Sequence, residues 1–218
     1  IAESSRRDLG SGVLNTRAGP ERAAPHRRSM IGLAVGTHRA AIAGWAAGAV
    51  GVAVVFGALS EAVADAVASN PAFATLDGGA DAYLALSLLL LVLMASGCAI
   101  QGLSKLRGAE LDGSLEPTLA RPISRHGWLG AHLAVVAVGF SAVTLISALV
   151  LGITVGDLGA SGNQTPALLG SALAYLPGIA VIAAVSVALF GWLPRLQALA
   201  WILVGYCAFI GFVGPSLD

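Results

Sequence analysis

The chain has 218 residues, 56% of them hydrophobic and only 11% charged, where an ordinary soluble domain carries about a quarter charged residues. With a mean hydropathy of +0.82, this composition excludes a water-soluble globular protein and predicts an integral membrane one. Twelve Lys and Arg balance twelve Asp and Glu, so no net charge draws the chain to nucleic acid, and the information lies in where each sign falls.

Residues 1–28 hold Arg6, Arg7, Arg17, Arg22, Arg27 and Arg28 with Pro20 and Pro25 and no apolar periodicity, which predicts a cytoplasmic linker. The polar start and the abrupt end at Gly214-Pro215-Ser216-Leu217-Asp218 predict a piece of a longer chain. Ser29 is placed to cap a short amphipathic stretch through His38, an elbow lying in the interface. Residues 40–59 are apolar throughout and long enough to cross a hydrocarbon core of about 30 Å, and form the first span. Within it Gly44 and Gly48 make a GxxxG that Gly51 continues, either a close-packing face or a chance spacing in a Gly/Ala-rich segment.

Glu61, Asp65, Asp77 and Asp81 populate the next loop without a Lys or Arg, which predicts an outer loop with a short helix over 61–68 stopped at Asn70-Pro71. The second span covers 82–103, the densely charged loop 104–127, the third span 128–154 with Trp128 at its interface, and an outer loop follows around Asp157. The fourth span covers 166–193, Arg195 marks an inner turn, and the fifth covers 197–213. The transmembrane domain is therefore expected over 29–218. All twelve basic residues, completed by Arg39, Lys105, Arg107, Arg121, Arg125 and Arg195, fall on the inner segments of this scheme. That pattern predicts a cytoplasmic N-terminus and an outer C-terminus.

No ionisable residue lies near the middle of a span, where ion-coupled carriers and voltage sensors usually place one. The nearest is His132, about a turn into the third span, either a packed histidine or a proton carrier. No GxxxxGK[ST] phosphate loop, HExxH pair or GxSxG elbow occurs, so neither nucleotide hydrolysis nor those hydrolytic chemistries is expected in this chain. Cys98 and Cys207 lie in apolar runs and read as small core residues rather than a disulfide or metal site. Pro177-Gly178 inside the fourth span is a candidate hinge, with plain packing as the alternative. Ser96, Gln101, Ser141, Thr144, Ser147, Tyr175, Ser186 and Tyr206 either line a pathway or bond between helices.

In the charged loop Ser114 caps a short helix with Pro117 in its first turn, and Glu116 suits the positive end of its dipole. Leu115 and Leu119 share a face, Pro122 stops the helix, and Ser124 opens the next one. A solvated loop needs neither the leucines nor the stops. The pattern reads as a docking element for a partner, carried by Glu110, Asp112, Leu115, Glu116, Leu119, Arg121 and Arg125.

Arg107, Glu110, Gly113, Glu116-Pro117, Leu119-Ala120-Arg121-Pro122-Ile123-Ser124-Arg125 and Trp128 also resemble the inner loop of ABC exporter permeases of the type 2 class, in the polyketide antibiotic and multidrug exporter group. The likeness extends to Arg6-Arg7-Asp8-Leu9-Gly10, Gly44-Trp45 and Ala188-Leu189-Phe190-Gly191-Trp192-Leu193-Pro194-Arg195, with Ala109, Ser114 and Thr118 departing from the usual pattern. The resemblance implies an all-α integral membrane fold, five transmembrane helices of a six-helix permease half, with an interfacial elbow helix and a cytoplasmic coupling helix. It implies a separate ABC ATP-binding subunit, expected in two copies and holding the ATP and Mg, so that this chain needs no cofactor of its own. Further expected partners are the other permease half, membrane lipids and a hydrophobic small-molecule substrate. The function expected is that of a permease subunit exporting hydrophobic or amphiphilic compounds such as antibiotics across the plasma membrane. The alternatives are a non-transporting membrane anchor, a small membrane enzyme, or an ion-coupled carrier.

Overall fold

The computed structural model describes residues 29–69, 79–111, 124–158, 163–193, 196 and 198–213. Regular structure among them is helical: α1 (Met30–Ser69), α2 (Gly79–Leu111), α3 (Arg125–Leu158), α4 (Thr165–Trp192) and α5 (Leu199–Val213). The helix ends follow local chemistry. Ser29 Oγ accepts the Gly32 N–H at 3.0 Å and Ser124 Oγ accepts the Gly127 N–H at 3.1 Å, each capping a helix start. Proline in the first turn opens α4, where its missing N–H would have had no partner anyway. α1 stops before Asn70-Pro71 and α4 before Pro194, because a proline disfavours helical geometry in the residue that precedes it.

Four of these helices are long and apolar enough to cross a membrane. Over its described residues α5 has 15 residues, about 22 Å of helix, against a hydrocarbon core of about 30 Å; four of the five expected spans thus reach spanning length among the described residues. The first segment also differs. The elbow through His38, the span over 40–59 and the short helix over 61–68 are one continuous helix of 40 residues. No proline interrupts the chain between Ser29 and Pro71, and nothing else forces a break. At about 60 Å, α1 is twice the hydrocarbon thickness and extends beyond it even when steeply tilted.

Cross-helix contacts give the directions. Along α1 and α3, His38 meets His132, Ile42 faces Gly139 and Thr154 faces Gly57, so the two run parallel. α2 runs antiparallel to α1, since Gln101 meets Trp45, Met94 faces Gly48 and Tyr83 meets Phe56. α2 contacts all four other helices and α1 packs most extensively on α3. The bundle therefore has two poles. One gathers the starts of α1, α3 and α5 and the ends of α2 and α4, with Arg39, Lys105, Arg107 and Arg125 in its helices; the other carries Glu61, Asp65, Asp81 and Asp157.

The packing face of α1 is made of small residues: Ala49, Ala53, Gly57 and Ser60 are buried on it. In lipid no apolar effect draws apolar helices together, so close van der Waals approach and hydrogen bonds hold them, and small residues permit that approach. The contact glycines are at other positions than the GxxxG. A Cβ at Gly97 would lie 2.8 Å from the Trp45 ring, at Gly139 2.6 Å from Ile42 Cδ1, and at Gly152 2.7 Å from the Thr165 Cα. Gly44 and Gly51 face open space, and Gly48 has only the Met94 methyl 3.4 Å from where its Cβ would be. The GxxxG thus borders α2 loosely at Gly48 and makes no close helix–helix approach.

Candidate functional site

The basic pole is where the charged loop leaves and re-enters the bundle. Glu110 lies in the last turn of α2 and Arg125 is the first residue of α3, so the backbone brings these two docking candidates to the same pole. Asp112, Leu115, Glu116, Leu119 and Arg121 lie outside the described residues. Pro177 and Gly178 are within α4, which continues through them, and both are exposed on the side facing away from the core.

Beneath the loop the three helix ends are tied by polar contacts. His38 on α1 and His132 on α3 are 0% and 4% exposed, and His38 Nε2 lies 3.0 Å from His132 Nδ1. Their rings meet edge to face with centroids 5.2 Å apart, and Trp128 covers His132 at 4.7 Å. Two turns further along α1, the Trp45 indole N–H donates to Gln101 Oε1 of α2 at 2.6 Å. Among the described residues, the Lys105 side chain of α2 lies within electrostatic reach of His38. At the opposite pole the Tyr83 hydroxyl donates to the Phe56 carbonyl at 2.8 Å.

These cross-helix bonds were only partly visible in the sequence. Gln101 and His132 stood out as polar groups in apolar surroundings, whereas His38 and Trp45 did not. One signal pointed to the histidine pair: His38 lies nine residues after the capping Ser29 and His132 eight after the capping Ser124, within one residue of the same depth from one pole. Other polar residues resolve differently. Ser96, Thr144, Ser147 and Ser186 are buried and donate to carbonyls of their own helices, at 2.8 to 3.1 Å. Each thus bonds within its own helix. Tyr206 is instead 62% exposed.

Among the described residues, concavities open at the far pole and beside Trp45. A cavity of about 490 Å³ opens at the acidic pole between α2 and α4, lined by Asp81, Leu88, Gln164, Leu168, Ser171 and Tyr175 among others. A shallower cleft of about 320 Å³ lies over Gly44, Trp45, Gly48, Met94 and Gln101.

Apolar helices of spanning length, packed through small residues and sealed by a few hydrogen bonds, define a multi-pass helical membrane protein. Residues 28–218 match the family described as the C-terminal domain of the multidrug efflux system permease Rv1217c, and the chain belongs to that family. It is 33% identical over 214 residues to the multidrug efflux system permease protein Rv1217c of Mycobacterium tuberculosis, an alignment covering 93% of this chain and 38% of that protein. The chain thus spans under half the length of this relative.

Proposed function

We propose that the chain is the C-terminal membrane half of a type 2 ABC permease that exports hydrophobic or amphiphilic compounds. The observation that carries this reading is its identity, along nearly its whole length, with a multidrug efflux permease. The basic pole supports the orientation: membrane proteins keep Lys and Arg on the cytoplasmic side, and in this reading the N-terminus, the 1–28 linker and loop 104–127 face the cytoplasm. A separate ATP-binding subunit, present in two copies, hydrolyses ATP with Mg and docks on that loop through Glu110, Asp112, Leu115, Glu116, Leu119, Arg121 and Arg125. The other permease half completes the pathway. This chain does no chemistry of its own; its share is to receive movement at the loop and pass it to α2 and α3, with Pro177-Gly178 a candidate hinge in α4.

The test replaces both faces of the docking element. The double variant Glu116→Lys, Leu119→Asp should insert in the membrane normally, lose capture of the ATP-binding subunit and lose export. Unchanged co-purification of the subunit would overturn the docking assignment.

A further inference from the structure

A push on loop 104–127 acts first on the start of α3, because Ser124 caps that helix and its first two turns hold the buried Trp128 and His132. What α3 passes on depends on its grip on its neighbours. Its seam with α1, the most extensive in the bundle, is otherwise built of small or apolar contacts such as Gly57 against Thr154 and Gly139 against Ile42. Such contacts are non-directional and allow sliding. The bond between His38 and His132 is directional: a slide of about 2 Å along the seam, across the bond, stretches the 3.0 Å separation to about 3.6 Å, out of hydrogen-bond range.

The proton in this bond can be assigned from what surrounds it. His38 Nδ1 is buried with no partner. A neutral imidazole has one N–H and one bare nitrogen, and a buried orphan N–H is rarer than a buried orphan acceptor. The proton of His38 is therefore on Nε2, donating to the bare Nδ1 of His132. The bonds from Trp45 to Gln101 and from Tyr83 to Phe56 tie α1 to α2 instead.

We infer that His38 and His132 form a positioning latch that makes α1 move with α3 when the loop between α2 and α3 is pushed, and so sets how much substrate moves per ATP. The inference rests on the coupling reading above. It assigns to the long first helix a driven role, with its cytoplasmic end as the point of attachment.

The test uses the full permease with its ATP-binding subunit in proteoliposomes, measuring substrate transport and ATP turnover in the same sample. His38→Ala and His132→Ala should each capture the subunit as the unaltered protein does, while transport per ATP falls about tenfold, equivalent to about 1.4 kcal/mol. The double variant His38→Gln, His132→Asn is the discriminating control. The glutamine N–H stands where Nε2–H stood and the asparagine oxygen where Nδ1 stood, so transport per ATP should return to within about twofold of the original. A purely structural role predicts loss of assembly in step with loss of transport. Alanine variants with the original transport per ATP overturn the latch, as does a Gln/Asn pair that assembles but stays uncoupled. If the unaltered complex shows no ATP-driven transport, the coupling reading falls first and the latch falls with it.

Discussion

The seam formed by α1, α2 and α3 and the flank formed by α4 and α5 are built from equally apolar sequence but held differently. In the seam, cross-helix hydrogen bonds at both poles combine with close glycine and alanine contacts. The flank shows large apolar faces: Trp192 is 85% exposed and Ile202 65%, while Ala200 is the buried residue of α5. Where apolar burial supplies no drive between helices, shape and hydrogen bonding decide which contacts persist. The seam is accordingly the more tightly joined region; its outer faces, with Val55 and Val138, are open to lipid as those of the flank are, but among the described residues the flank lacks the polar ties between helices seen in the seam.

The sharpest way to break this contrast is at the junction of the two regions. Gly152→Leu places a branched side chain against the Thr165 backbone, which a rotamer change cannot relieve, and should destabilise the helical bundle by about 3 kcal/mol, read from unfolding in detergent. Gly97→Ala meets the Trp45 ring instead. The indole has to shift away from Gln101, and about 1–2 kcal/mol should be lost in the same assay. Trp45→Phe keeps the ring contact and removes only the N–H donor to Gln101, an effect of about 0.6 kcal/mol, in line with hydrogen bonds between membrane helices. At the small end, Gly44→Leu, which faces open space, should leave stability within about 0.5 kcal/mol; a larger loss would mean that the GxxxG packs on something within this chain.

The sequence made some of this readable and hid the rest for physical reasons. Ser29, Ser124, Pro71, Pro166 and Pro194 act within a few residues, so helix boundaries near them were legible. The gathering of the helices' basic residues at one pole was legible too, because it is a property of loops in order along the chain. The continuity of α1 was not, since an amphipathic start, an apolar middle and an acidic end suggest three environments even when no residue breaks the helix between them. The GxxxG was left open between packing face and chance spacing, because in a helix rich in Gly and Ala many small-residue spacings exist, and the open space at Gly44 and Gly51 favours chance. The face that packs, Ala49, Ala53, Gly57 and Ser60, is selected by what α3 offers opposite it. His38 escaped notice because its partner is 94 residues away.

The central claim is that energy enters through the basic pole from a separate ATP-hydrolysing subunit. The most direct measurement reconstitutes the full permease with that subunit and follows substrate movement into the vesicle lumen, first with ATP and no ion gradient, then with a proton gradient and no ATP. The account predicts transport in the first condition, loss of it with Glu116→Lys, Leu119→Asp, and none in the second. Transport driven by the proton gradient without ATP would contradict it.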